Sequence, residues 1–188
     1  MSRTYTLKKR AESQAETRQR IVEATVELHA TVGPANTTVS MIAEKAGVQR
    51  NTFYAHFPDE WSVVLACSGH VMESDPLPDA DAWVAVKAPA ERLRTGLRAI
   101  YDWYARHEDL LACVLRDAEH HELTRKITEL RFGASMARYL EVLGTGLKAK
   151  QRAMLTLALS YHTWRTLARD AGLKQGDAVA AMARAIAG

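Results

Sequence analysis

Apolar residues recur at intervals of three and four along nearly the whole of this 188-residue chain. That spacing gathers them on one face of a helix, whereas a half-buried strand needs strict alternation. No convincing alternating run and no internal repeat occur. The chain is therefore expected to be all-α. Ile21, Ala24, Thr25 and Leu28 define a first helix over residues 11–31, stopped by Gly33-Pro34. Thr37 or Thr38 caps a short second helix through Met41, Ile42, Ala43 and Ala46, which Gly47 ends. A third short helix covers 49–56. Pro58-Asp59-Glu60 opens a fourth that carries Val63, Val64, Ala66 and Cys67.

After Met72 the composition changes. The stretch SDPLPDADAWVAVKAPA holds three of the five prolines and several acidic residues, and reads as a boundary loop with one helical turn around Trp83. Beyond Pro89 long helices are expected. Leu93, Leu97, Ile100, Tyr101 and Tyr104 share one face, and Leu110, Leu111, Val114 and Leu115 form a shorter helix. Residues 121–143 carry Leu123, Ile127, Leu130, Ala134, Ala137 and Leu140 before the break at Gly144 and Gly146. An apolar helix over 148–171 and an alanine-rich one over 176–187 complete the chain.

Hydrophobic residues make up 47% of the chain, enough for a sizeable core, and the net charge is only +3. Any basic patch must be local. One lies at the start, where Arg3, Lys8, Lys9, Arg10, Arg18 and Arg20 face only Glu12 and Glu16. A basic arm suits a polyanion. Cys67 and Cys113 lie far apart and fit ordinary thiols in a reducing compartment. The N-terminus lacks the apolar core of a signal peptide, and no run approaches the roughly 20 apolar residues needed to cross a bilayer. A soluble cytoplasmic protein with no membrane contact is expected.

The most informative stretch is AGVQRNTFYAHF, residues 46–57. A short helix, a glycine-containing turn and a second short helix form the helix-turn-helix pattern. The second helix of that motif lies in the DNA major groove, with only its first residues reaching base edges. It must start polar and pack its apolar side on the preceding helices. Gln49, Arg50, Asn51 and Thr52 are polar, and Phe53 and Phe57 are apolar. Arginine can donate two bonds to guanine, and asparagine pairs with the adenine edge. Thr52, Tyr54 and His56 suit phosphates, which fix register. Ile42, Ala43, Ala46, Val48 and Phe53 are the expected glue between the two helices.

The run TTVSMIAEKAGVQRNTFYAHFPDE, residues 37–60, resembles the DNA-binding region of the TetR family of bacterial transcription regulators. Thr38, Val39, Ile42, Ala43, Ala46, Gly47, Val48, Thr52, Phe53, Tyr54, His56 and Phe57 match its pattern, as does RQRIVEATVELHATVG before it. The resemblance implies that Thr38 bonds phosphate, that Arg50 and Asn51 meet bases, and that Thr52, Tyr54 and His56 hold the backbone. Gln49 stands where the family often has Ser, and Glu60 where it usually has a phosphate-contacting Lys. An acid at Glu60 repels phosphate but suits a helix N-terminus. Farther on, AERLRTGLRAIYDWYARHEDLLACVLRDAE and SYHTWRTLARDAGL resemble segments of the family's divergent C-terminal parts, which imply the helical fold but do not identify a ligand.

Sharper motifs fail on context. GTGLKA has dinucleotide-fingerprint spacing but follows a helix, where the fingerprint needs a strand. In AEHHE, His120 and His121 point about 100° apart on a helix and cannot easily share one ion. Asn36-Thr37-Thr38 matches a glycosylation acceptor, but without a signal peptide. No nucleophile–base pair and no metal or cofactor signature stands out. The amphipathic residues Trp103, His107, Met136, Tyr139, Tyr161 and Trp164 are candidates to line an effector pocket, which wants apolar walls and a few polar tips. TetR-like proteins usually carry one in this part of the chain.

The expectation is a homodimeric transcriptional repressor. Residues 1–70 bind a palindromic double-stranded DNA operator, and residues 71–188 bind a small-molecule effector and form the dimer. The last two helices supply the interface through Leu155, Leu159, His162, Val179, Met182 and Ile186, because a helix apolar on several faces must be covered on several sides. Two other readings stay open: a TetR-fold DNA-binding protein controlled by another protein or acting as an activator, and a helical enzyme or adaptor that borrowed the motif.

Overall fold

The computed structural model describes residues 3–188, with side chains from residue 8 onward. Arg3 of the basic run lies outside the described side chains. Among the described residues the chain is helical with no strand. The helices are α1 (Arg3–Thr31), α2 (Val39–Ala46), α3 (Arg50–His56), α4 (Glu60–Ser74), α5 (Asp81–Val84), α6 (Pro89–Arg106), α7 (Glu108–Ala118), α8 (Glu122–Leu143), α9 (Ala149–Ala158), α10 (Tyr161–Arg165) and α11 (Gln175–Ala187). Among the described residues no helix is long and apolar enough to cross a membrane.

Helix α1 begins at Arg3, well before the expected residue 11. Its first turns hold Ala, Glu, Gln, Lys and Arg without Gly or Pro, so nothing stops the helix. The basic run is therefore helical where it is described, not an extended arm.

The chain divides into two units. The first runs up to Asp75 and also takes in Ala112–Thr128. Its core joins Ile21, Val22 and Ala24 of α1, Ile42 and Ala46 of α2, Phe53 of α3, Phe57, and Val63, Val64 and Cys67 of α4. Ile127 belongs to the same core and Leu123 packs against it. That burial recruits a segment some 40 residues beyond the composition change, which a division at 70/71 leaves out.

The second unit comprises Pro76–Leu111 and Glu129–Gly188. Here α11 packs on α6 and α9, while α5 and α10 pack on α6. Its largest buried side chains include Trp103, Tyr101, Tyr139, Trp164, Leu97 and Leu155. In α8 the expected apolar face does not persist. Leu130 is 55% exposed and Ala134 and Ala137 are exposed, whereas Tyr139, Val142 and Leu143 are buried.

The single helix expected over 148–171 is interrupted after Ala158. Two buried phenols from α6 explain the break. Tyr101 donates to the Ala158 carbonyl at 2.9 Å and Tyr104 to the Leu159 carbonyl at 2.6 Å. These bonds satisfy carbonyls that a continuous helix would pair with N–H groups one turn on. Ser160 then caps α10, its hydroxyl accepting from the His162 N–H. Residues 166–170 continue as a π-helical turn, with the Ala171 N–H donating to the Thr166 carbonyl at 2.8 Å.

Candidate nucleic-acid interface

The first unit builds a helix-turn-helix from local signals. Thr38 caps α2, its hydroxyl oxygen accepting from the Met41 N–H at 3.3 Å. That cap uses the oxygen of the hydroxyl and not its hydrogen. Gly47 ends α2 at φ 65°, a left-handed conformation that favours glycine, and the Val48 N–H donates back to the Ala43 carbonyl at 2.9 Å. Arg20 adds a side-chain cap, donating to the Ala46 carbonyl at 3.1 Å.

Beyond this turn α3 divides by face. Phe53 and Phe57 are buried, their ring centroids 5.9 Å apart. Gln49, Arg50 and Asn51 are exposed, as is Tyr54 at 45%. Thr52 and His56 are half-buried beside them, and Thr38 is exposed. All seven sequence-predicted residues thus lie in one helix-turn-helix, with hydrogen-bonding groups outward and aromatic rings anchoring α3 to the core.

Two basic residues serve the fold instead of a free basic arm. Arg18 stacks over the Phe57 ring at 4.8 Å, and Arg20 caps α2. Lys8, Lys9 and Arg10 are exposed. Glu60 is the exposed first residue of α4. Asp59 does the capping there, accepting from the Ser62 N–H at 2.7 Å in a capping box.

Arg116 and Asp117 went unread in the sequence. Asp117 is fully buried and accepts from the Ala35 N–H at 2.9 Å and from Arg116 Nε at 2.8 Å. Burial alone raises a carboxyl pKa. Here the hydrogen bonds from Arg116 and the Ala35 amide outweigh it and hold Asp117 below the usual carboxylate range. No local signal marks this role, since an Arg-Asp pair at the end of an amphipathic helix reads as a solvated terminus. The neighbouring AEHHE segment is the α7–α8 junction, where His121 Nδ1 lies 2.7 Å from Thr124 Oγ1. Among the described residues no three His, Cys, Asp or Glu side chains are placed to hold a metal ion.

In the second unit four of the six candidate effector residues, Trp103, His107, Tyr161 and Trp164, join one aromatic cluster around Tyr104, while among the described residues Tyr139 and Met136 have no ring contact with it. Trp103 is buried, 4.3 Å from the His107 ring and 5.8 Å from Phe132. Tyr161 donates to the Glu108 carbonyl at 3.0 Å, and Trp164 Nε1 donates to Gln175 Oε1 at 3.1 Å. Tyr139 packs on Trp83 and donates to the Pro78 carbonyl at 2.7 Å. Met136 is half-buried. An open surface pocket of about 350 Å³ lies beside Tyr139, lined also by Leu77, Pro78, Asp79, Ala134, Ser135 and Arg138. Tyr139 is the one of the six candidates that lines it.

The dimer candidates need correction. Leu155, Leu159, Val179, Met182 and Ile186 are buried by their own chain, where α9 and α6 flank α11. The helix apolar on several faces is covered from within the protomer, so these side chains are not open to a partner. His162 alone of the six is exposed, as is Leu157 at 51%.

Residues 21–66 match the family described as bacterial regulatory proteins, tetR family. The HTH-type transcriptional regulator SrpR of Pseudomonas putida is 40% identical over 85 residues, which cover 42% of this chain and 40% of SrpR. The chain spans 36%, 40% and 63% of the lengths of the three curated relatives it matches. Among solved structures, the fatty acid degradation regulator FadR from Bacillus halodurans has a TM-score of 0.65 at 18% identity, covering 92% of this chain and 95% of FadR. FadR from Bacillus subtilis, in complex with stearoyl-CoA, has a TM-score of 0.62 at 19% identity, covering 89% and 96%. At such identities these two structures bear on the fold alone. The family match therefore rests on the helix-turn-helix segment, residues 21–66, and the solved structures extend the likeness of fold to the remainder.

Proposed function

We propose that the protein is a homodimeric transcriptional repressor that binds a palindromic DNA operator through α2 and α3 and is released by a small-molecule effector. The observation that carries this reading is the division of α3. Gln49, Arg50 and Asn51 are exposed at its start, and Phe53 anchors the same helix in the core. Arg50 and Asn51 read base edges in the major groove. Thr38, Thr52, Tyr54 and His56 hold phosphates and set register. One head of this size reads few base pairs, so two are joined by a two-fold axis and address half-sites about 34 Å apart or a multiple of it. The exposed side of α9 and α10, with Leu157 and His162, is the surface assigned to that pairing.

The effector is assigned to the second unit, with the open pocket beside Tyr139 as its seat. Support for a small molecule comes from FadR of Bacillus subtilis, which shares this fold and was solved with stearoyl-CoA. Release requires that the effector bind more tightly to a state whose two heads are wrongly spaced. The site of action is the cytoplasm, where the operator lies.

Binding to the DNA upstream of the protein's own coding region tests the reading, with sedimentation counting two protomers per duplex. Arg50→Ala is expected to cost about 1–3 kcal/mol and to flatten the preference at one base pair of each half-site. An unchanged ranking of operator variants would remove Arg50 from base readout. Absence of any preferred fragment would remove the repressor reading.

A further inference from the structure

We infer that Asp117 and Arg116 are positioning residues of the DNA-binding head: the last turn of α7 grips the segment that delivers Thr38, and so sets whether the head meets phosphate in register. This rests on the DNA-binding reading above. The grip is made at successive points. Cys113, one turn earlier on the same face of α7, lies 3.5 Å from the Ala30 carbonyl. Arg116 Nη2 donates to the Val32 carbonyl at 3.1 Å, and the Ala35 N–H donates to Asp117 Oδ2 at 2.9 Å. Arg116 Nε donates to Asp117 Oδ1 at 2.8 Å, so one carboxylate ties the turn to the guanidinium that holds its other side.

Gly33 makes the approach possible. It stands at φ 92°, and a Cβ there would lie 2.3 Å from Arg116 Nη2 and 2.4 Å from Asp117 Oδ2. From the gripped turn the chain has few degrees of freedom before α2. Thr37 donates through its hydroxyl to the Gly33 carbonyl at 2.8 Å and through its N–H to the Pro34 carbonyl at 3.2 Å. The next residue is Thr38, the cap of α2. The pair is a modest stabiliser, because Asp117 is buried while Arg116 keeps about half of its side chain in solvent, where the attraction is screened. It is a good positioning device, because a carboxylate accepts at two fixed points and resists small displacements.

The test uses the full chain with Asp117→Asn, which keeps the shape, and Arg116→Met, which keeps the stem but loses both donations. Thr38→Ala is combined with each. Amide exchange over residues 32–41 reports the grip without DNA, and operator isotherms at several salt concentrations report its use. Exchange at Ala35 is expected to rise about tenfold in Asp117→Asn, the loss of one polar partner. Operator affinity is expected to fall about tenfold on all operator variants alike, with the salt slope reduced by about one. In the Thr38→Ala background neither variant adds a further loss, because both act through the same phosphate contact. Losses that add fully to Thr38→Ala, or unchanged affinity in a folded variant with raised exchange, overturn the positioning role. A wild-type protein that binds no DNA, with the exchange effect intact, overturns the DNA-binding reading and the positioning role with it.

Discussion

In α3, Tyr54 is 45% exposed beside Arg50 and Asn51, while Phe53 beneath them is buried. In α10, Tyr161 and Trp164 are both buried, and their polar tips end on the Glu108 carbonyl and on Gln175. The two helices draw on the same kinds of side chain. What separates them is where the polar atoms go: outward in the first unit, and onto their own chain in the second. An exposed aromatic can offer its polar end to a partner, whereas a buried one has committed that end to the fold and leaves only its ring to line a pocket. A buried Tyr or Trp normally finds an internal partner, and the second unit supplies it for Tyr101, Tyr104, Tyr139, Tyr161 and Trp164.

The contrast can be broken most severely at Trp164. Trp164→Ala is expected to cost about 3–5 kcal/mol of stability, the transfer loss plus a cavity. Tyr54→Ala is expected to shift stability by no more than about 0.5 kcal/mol while weakening DNA binding. Denaturant unfolding of both variants decides it, and equal destabilisation would dissolve the distinction between the two helices.

His29 sharpens the contrast from inside the first unit, where it is a buried polar group amid an outward-facing design. Its pKa falls from 6.5 to about 4, chiefly through burial; Asp117 opposes the shift and His121 adds to it. The Cys67 thiol lies 3.7 Å from its Nδ1. Between these two values the unfolded chain binds a proton that the folded chain does not, so stability is full above pH 6.5 and falls as pH drops towards 4. The loss amounts to about 3 kcal/mol across that window. Melting curves from pH 7 to 4 should show it, and His29→Gln should flatten it. An equal slope in the variant would mean that other groups carry the acid sensitivity.

The smallest effect is expected at Glu60, which is exposed at the start of α4 and leaves the capping to Asp59. Glu60→Lys should change stability by no more than about 0.5 kcal/mol. It should tighten operator binding and steepen its salt dependence by about one unit of slope. An unchanged slope with unchanged affinity would place this position away from the phosphates.

The legible part of the molecule was the part made by near neighbours in the chain. Thr38 caps the helix that starts at the next residue, Gly47 turns the chain at its end, and Asp59 and Ser62 close their box three residues apart. The alternation of polar and aromatic residues over 49–57 likewise depends only on helical geometry, so the faces of α3 could be read before any packing was known. The dimer candidates were misread for the opposite reason. Periodicity says that Leu155, Val179 and Ile186 must be covered, but not by which chain, and α6 with its neighbours turns out to cover them.

What the sequence by itself determined was the helical class, the helix-turn-helix and its outward residues, because hydrogen bonding and capping act within one or two turns of helix. Tertiary structure alone decided the rest. The break after Ala158 depends on Tyr101 and Tyr104, which meet residues 57 and 55 positions away, and the turn before α2 depends on Asp117, 82 positions from Ala35. A carbonyl that has lost its helical partner, or an amide outside any helix, pairs with whichever group the packed chain brings to it, and that encounter leaves no trace in local spacing.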